Sequence, residues 1–418
     1  MEKYHICGGV PIRGTYVARG AKNGALPILA ATVAVPGIHR IKNCPDISDL
    51  KSMYKILKSL GCHVEVHDEA VVVDTRQLME YKVPEDLMKE MRSSVFLMGG
   101  LLSRCGRASI SKPGGCKIGK RPIDIHIYAL REMGYKVDGN EETISFQGKV
   151  KGPCEINLPF PSVGATENII LAGLNTEETI TVKNCAKEPE IIDLQNFLNN
   201  CGAKISGAGT GIIRIEKSQN LQGTEYEVLG DRIEAATYLM AAAATAGHLI
   251  VEKINPVHID SVLHVLTKMG CNIRCSHMRI ELSAPKVLLG GINVKTGPYP
   301  DFPTDCQPQL MTLLSIAKGE SSIEETIFEN RFTHSKELNK MGANIEILEK
   351  TAIIKGVPFL NGVGVSAQDL RGGAALIIAG LAADSETEIS GINHILRGYE
   401  NIDKNLRKLG GKIERIPE

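Results

Sequence analysis

Apolar and polar positions along this chain follow two periods that succeed one another six times. A helical spacing closes on a short glycine phrase, and an alternating, strand-like pattern follows it. The phrases are LGCHVEV from Leu60, MGYKVDG from Met133, CGAKISG from Cys201, MGCNIRC from Met269, MGANIEI from Met341 and LGGKIER from Leu409. Ahead of them apolar residues fall at helical spacing: Leu50, Tyr54 and Leu57; Leu194, Phe197 and Leu198; Ile402, Leu406 and Leu409. The glycine fits a helix C-cap, where the backbone turns left-handed. In five copies a second strand follows a polar turn, as AVVVDT, TISFQG, GIIRIEK, MRIELS and TAIIKGV.

Upstream of each phrase a helix of small residues, such as ALPILAATVA, NIILAGL, ATYLMAAAATAG or ALIIAGLAA, runs into a short strand. Alanine and glycine on such a helix allow close packing in an interior. The unit thus reads helix, strand, helix, strand, strand, with a repeat of about seventy residues. Six units predict two α/β domains of three. The sixth copy stops at LGGKIERIPE without its last strand, and KYHICGG at the amino terminus has the length and alternation to supply it. Residues 22–229 are therefore expected to form one domain and residues 230–418 with 1–21 the other, the chain crossing twice.

A chain of 418 residues is long enough for two such cores. The formal net charge of zero argues against a nucleic-acid partner or a membrane-surface role, so any phosphate affinity must come from local clusters. The weakly polar runs at 24–37 and 235–247 are too short for membrane spans, and MEKYHICGG does not resemble a signal peptide. Eleven cysteines without a CxxC pair point to free thiols in a reducing cytoplasm. Cys271 and Cys275 have no second ligand pair nearby, so a structural zinc site is not expected.

The chemistry concentrates in PGGCKIGKRPIDIH, Pro113 to His126. Cys116 stands behind two glycines, with Lys112, Lys117, Lys120 and Arg121 around it. Neighbouring cations favour thiolate over thiol and also attract phosphate. Gly114 to Lys120 fits GxxxxGK, but Arg121 replaces the magnesium-binding Ser or Thr and Pro122 follows, so this is not a Walker loop. Lys22 and Asn23, Arg92, and Arg371 after Asp369 open three of the small-residue helices, where helix N-termini favour anions. Asp305, in FPTDC, precedes a fourth and could take a proton from a hydroxyl, or simply cap the helix. Arg331 and Arg397 lie between a strand and the next helix, placed for carboxylate or phosphate contacts. Ser162, Val163 and Gly164 enter another helix with backbone donors suited to a diphosphate.

With these residues the chain resembles the UDP-N-acetylglucosamine 1-carboxyvinyltransferase family of enolpyruvyl transferases. The likeness runs from GAKNGALPIL through PGGCKIGKRPIDIH, SVGAT, AKEPEIID, FPTD, ENRF and DLRGGAAL to RGYENID. It implies a two-domain inside-out α/β barrel of six βαβαββ-like repeats, three per domain. It also implies transfer of enolpyruvate from phosphoenolpyruvate to the 3′-hydroxyl of UDP-N-acetylglucosamine, with release of phosphate. By motif match, Cys116 is the general acid and a target of thiol-directed epoxides such as fosfomycin, and Asp305 assists deprotonation of the sugar. Lys22, Arg121 and Arg397 hold the phosphate of the transferred group, with Arg92, Arg331 and Arg371 completing the anion site. Asn23, the segment Arg121, Pro122, Ile123, Asp124, Ile125 and His126, the run Ser162 to Gly164, and Ile327 bind the nucleotide sugar; Asp369 joins the substrate-binding set. The resemblance implies no metal or organic cofactor. Phe160 and Pro161 stand where relatives often carry a lysine. The related reaction on a shikimate phosphate, and a silent paralogue that only binds nucleotide sugar, are the competing readings.

Overall fold

The computed structural model describes residues 2–68, 70–90, 92–111, 119, 123–139, 143–150 and 152–417. Cys116, Arg121, Pro122 and the lysines Lys112, Lys117 and Lys120 lie outside the described residues, and Arg92 is described only through its backbone. The chain divides into two compact units. Of the described residues, unit 1 comprises 2–19, 119 and 230–417 and unit 2 comprises those within 20–111 and 123–229.

Each unit is built around three inner helices that are buried along nearly their whole length. In unit 2 these are Lys22–Ala34, Leu97–Cys105 and Val163–Ala172. In unit 1 they are Arg232–Ala244, Gln307–Ser315 and Leu370–Ala382. A helix with apolar residues on all sides belongs in an interior rather than at a surface. The helices that carry a single apolar stripe, such as Ser48–Ser59 and Asp260–Lys268, lie outside them and end on the repeated glycine. That glycine takes a left-handed φ in all six copies: +95° at Gly61, +96° at Gly134, +100° at Gly202, +96° at Gly270, +91° at Gly342 and +92° at Gly410. A side chain with a Cβ would be strained there, which is why the phrase repeats.

Among the described residues five sheets share one plan, an antiparallel strand pair on a central strand with a short strand parallel to that centre on its other side, and the sixth has three antiparallel strands. The five-element unit read from periodicity lacks this short leading strand, which the βαβαββ-like repeat implied by the resemblance includes. Asn293–Lys295, Gly364–Ser366 and Glu225–Glu227 have only three residues each, too few for a period to show. In the second repeat, among the described residues, it shrinks to one bridge between Lys82 and Ser109.

Two leading strands are exchanged. Arg13–Val17 precedes the helix Lys22–Ala34 in sequence but pairs with His248–Glu252, while Glu225–Glu227 pairs with Ile38–Lys42. The division accordingly falls at Arg19/Gly20 and Leu229/Gly230. The Ala21 amide donates to the Leu229 carbonyl within unit 2. The amino-terminal strand Glu2–Cys7 lies between Glu386–Ser390 and Lys412–Pro417, antiparallel to both, and completes the sixth sheet. Tyr4 and Ile6 face the core, while Lys3, His5 and Cys7 face outward. Among the described residues no helix is long and apolar enough to cross a membrane.

Small residues set how closely the inner helices approach. A Cβ on Gly99 would stand 2.4 Å from the carbonyl oxygen of Asn168, and one on Gly100 would stand 2.8 Å from that of Ala30. Backbone meets backbone on two sides of the helix Leu97–Cys105. Replacing Gly99 by Ala is therefore expected to destabilise the protein by about 1–3 kcal/mol, because a packed backbone has to move. Urea unfolding followed by circular dichroism checks this; an unchanged midpoint would mean that the helices are not in contact at Gly99.

Candidate active site at the starts of the inner helices

In unit 1, Asp305 sits in a 3-10 turn, Thr304–Cys306, that leads into the helix Gln307–Ser315. The side chain does not cap that helix. Its Oδ1 accepts from Nη2 of Arg331 at 2.9 Å, and its Oδ2 accepts from Nε and Nη2 of Arg371 at 3.2 and 3.0 Å. Both arginines are almost fully buried, whereas the Asp305 side chain remains 28% exposed. The carboxylate is thus the outermost member of the group. Charge-assisted bonds from two guanidinium groups fix its position and favour its anionic form.

The arginines are themselves held. Arg331 donates from Nε and Nη2 to the Thr304 carbonyl, each at 3.2 Å, and its Nη1 lies 3.6 Å from Asp369 Oδ1. Asp369 caps the helix Leu370–Ala382, accepting from the amides of Arg371 and Gly372 at 3.0 Å each. Arg371 also stacks over Tyr399, 5.3 Å from the ring centroid, and its Nη1 is a buried donor without a partner. The Tyr399 hydroxyl is tied to Thr237 and Gln309, one from each of the other inner helices. Arg397, at the end of the 3-10 turn Ile392–Arg397, is half-buried two residues earlier. Burial pushes His334 down to about 4, with Arg331 acting in the same direction and Asp369 opposing it. At neutral pH it is a neutral ring packed beside the charged group. Ile327 is placed by Glu325, whose Oε1 accepts from the amides of Ile327 and Phe328 and whose Oε2 accepts from the Thr304 hydroxyl.

In unit 2, Lys22 is the first residue of its inner helix, and its Nζ lies 2.6 Å from Asp49 Oδ2, both side chains largely buried. Asn23 follows it, half-buried. Arg92 opens the 3-10 turn Arg92–Phe96 that leads into the helix Leu97–Cys105. Ser162 caps the third inner helix, its hydroxyl accepting from the Ala165 amide. Gly164 packs against the His126 ring; a Cβ there would stand 3.0 Å from Cε1. Asp124, Ile125 and His126 form the first turn of the helix Asp124–Glu132, with Ile123 just ahead of it. Asn168 ties these parts together. Its Nδ2 donates to His126 Nδ1 at 3.0 Å and to the Val95 carbonyl at 3.2 Å, and its Oδ1 accepts from the Gly99 amide at 2.8 Å. Because the amide donates to Nδ1, the neutral ring carries its proton on Nε2. Beside Asn168, Glu167 is fully buried, and burial, with Glu190 and Glu188 adding to it, raises its pKa well above the usual carboxylate range.

Of the residues named from sequence, Lys22, Asn23, Arg92, His126 and Ser162 to Gly164 in unit 2 and Asp305, Asp369 and Arg371 in unit 1 lie at helix starts, whereas Ile327 and Arg331 lie in the connection ahead of Ser335–Lys340 and Arg397 at the end of a 3-10 turn. The sequence reading missed the residues that orient them, Asp49, Asn168, Glu325 and Tyr399. Asn168 left a trace as a polar residue inside NIILAGL; the others have no local signature. The thiols of Cys44, Cys62, Cys201 and Cys306 are all pushed up to about 12, with burial the main cause, so these cysteines are unreactive.

A family model described as EPSP synthase (3-phosphoshikimate 1-carboxyvinyltransferase) matches residues 6–406. UDP-N-acetylglucosamine 1-carboxyvinyltransferase 2 of Caldanaerobacter subterraneus subsp. tengcongensis is 46% identical over 417 residues, and the match covers 100% of both chains. UDP-N-acetylglucosamine 1-carboxyvinyltransferase of Shewanella amazonensis is 42% identical over 418 residues, again with 100% of both covered. Among solved structures, the enolpyruvyl transferase NikO from Streptomyces tendae superposes with a TM-score of 0.89 at 24% identity, over 99% of this chain and 98% of that one. EPSP synthase from Acinetobacter baumannii gives 0.75 at 20% identity over 100% of both. The two structures show the fold, and the full-length identities together with the family model show that the chain belongs to the enolpyruvyl transferase family, among the UDP-N-acetylglucosamine 1-carboxyvinyltransferases.

Proposed function

We propose that this enzyme transfers the enolpyruvyl group of phosphoenolpyruvate to the 3′-hydroxyl of UDP-N-acetylglucosamine in the cytoplasm, the first committed step towards peptidoglycan precursors. The observation that carries this reading is the Asp305 carboxylate, gripped by Arg331 and Arg371 at the start of an inner helix with its outer edge accessible. An anion held in this way is a fixed acceptor for a hydroxyl proton. Addition then proceeds with Cys116 giving a proton to the methylene carbon of phosphoenolpyruvate while the sugar oxygen bonds to C2. Elimination removes a proton from the resulting methyl group and expels phosphate, restoring the double bond. Lys22, Arg121 and Arg397 would hold the phosphate, with Arg92, Arg331 and Arg371 completing the anion site. Ser162 to Gly164, Asn23, Ile327 and Arg121 to His126 would hold the nucleotide sugar. The chemistry uses acids, bases and charge on the protein, with no cofactor in the scheme. The shared names and full-length identity of the relatives favour the nucleotide sugar over a shikimate phosphate as acceptor.

Phosphate release with phosphoenolpyruvate and either UDP-N-acetylglucosamine or shikimate 3-phosphate tests the acceptor. Turnover is expected with the nucleotide sugar only, and Asp305→Asn should lower kcat by about 10²–10⁴-fold, the range for a lost general base. Turnover with the shikimate ester, or an Asn variant of full activity, would overturn the assignment.

The acid role of Cys116 predicts a different ordering. Cys116→Ser should be nearly inactive, because a hydroxyl is a poor proton donor near neutral pH, whereas Cys116→Asp should keep activity and escape inactivation by fosfomycin. Steady-state rates of the two variants decide it; an active Ser variant would remove the thiol from the acid role.

A further inference from the structure

We infer that the outer face of the amino-terminal strand carries a metal site, formed by His5 Nε2, Cys7 Sγ and the Glu386 carboxylate. The three ligand atoms lie within 4.8 Å of one another. His5 and Cys7 are two apart on Glu2–Cys7, so they share a face of the sheet, and Cys7 is directly opposite Glu386 on the neighbouring strand. The strand is hydrogen-bonded on both sides and anchored beneath by fully buried Tyr4 and Ile6, so the backbone holds the ligands in register.

His5 and Cys7 both reach the Glu386 carboxylate, one at each oxygen. His5 Nε2 lies 3.3 Å from Glu386 Oε2, and Cys7 Sγ lies 3.9 Å from Glu386 Oε1. A good N–H···O bond is shorter, about 2.7–3.2 Å. Ligands placed tetrahedrally at zinc bond lengths stand about 3.4 Å apart for nitrogen and oxygen and about 3.6 Å apart for sulfur and oxygen. The two observed separations end on different oxygens of Glu386, so an ion would be held by a carboxylate that turns one oxygen towards both partners or binds through both, within the 4.8 Å spread of the ligand atoms. Imidazole, thiolate and carboxylate together suit a borderline-soft divalent ion, zinc foremost, with water in the fourth position. On binding, Cys7 releases its thiol proton to solvent, and sulfur, nitrogen and oxygen each give a lone pair to the ion.

The rest of the face is balanced in charge. Lys3 is engaged by Glu388 at 2.8 Å, Glu414 stands opposite His5, and Lys412 stands opposite Cys7. The Glu386 side chain is 70% exposed, which leaves an open path for the ion. Sequence could not reveal this site, since Cys7 and Glu386 are 379 positions apart. It involves neither Cys271 nor Cys275, and it is independent of the transferase reading.

Cobalt titration of the full-length, metal-free protein tests the site, because a cobalt–thiolate bond gives a charge-transfer absorption that hydrogen bonds do not. One ion per chain is expected to produce this band, and zinc should displace it. Cys7→Ser should abolish the band, His5→Ala and Glu386→Gln should weaken binding at least about tenfold, and Cys116→Ser should leave the band in place. Thermal midpoints in EDTA that match the wild type would show that the variants are folded. Absence of a thiolate band in the wild type, its survival in Cys7→Ser, or its loss in Cys116→Ser would each overturn the proposal.

Discussion

Close contact between the inner helices is the constraint from which the rest follows. Gly99 and Gly100 bring the helix Leu97–Cys105 against its two neighbours, and the Thr312 hydroxyl reaches the Ala375 carbonyl across the equivalent contact in unit 1. Helices packed this closely bury their sides, so polar chemistry is left to their ends. The N-terminal ends carry unsatisfied amides and a positive dipole, which favour anions and carboxylate caps. Ser162, Asp231 and Asp369 occupy three of those ends as caps, and Lys22, Arg92 and Asp305 occupy the other three.

The charged group in unit 1 shows how such an end becomes a candidate catalytic element. Placing Arg331 and Arg371 in a buried position costs hydration, and Asp305 compensates by accepting from both guanidinium groups while the Asp369 carboxylate lies 3.6 Å from Arg331. The same bonds orient the Asp305 carboxylate, while the neutral His334 adds no competing charge. Tyr399, Thr237 and Gln309 extend the network into all three inner helices, so the carboxylate is positioned by the core rather than by a loop. Residues that never meet a substrate thereby set the geometry of one that would.

Most of the fold was legible because its signals are local. The glycine phrase marks a left-handed helix end, which only glycine adopts without strain, and it recurs once per repeat. The alanine-rich runs mark the inner helices for a related reason, since larger side chains would not fit between the backbones. The three-residue leading strands were not legible: their pairing depends on a neighbour far away in sequence. The same holds within the site. Lys22 and Asp305 stand out by their position at helix starts, whereas Asp49 and Glu325 acquire meaning only once the chain is folded. The metal ligands are the extreme case, brought together by sheet register alone.

The central claim is that enolpyruvate is transferred by addition and elimination at these helix starts. Running the reaction with phosphoenolpyruvate and UDP-N-acetylglucosamine in deuterated water tests it most directly. Protonation of the methylene carbon makes a transient methyl group, which loses one of its hydrogens again when phosphate departs. The account predicts a product ether on the nucleotide sugar whose vinyl positions carry deuterium by nuclear magnetic resonance. A product with both vinyl protons unexchanged, or no ether on the sugar at all, would contradict it.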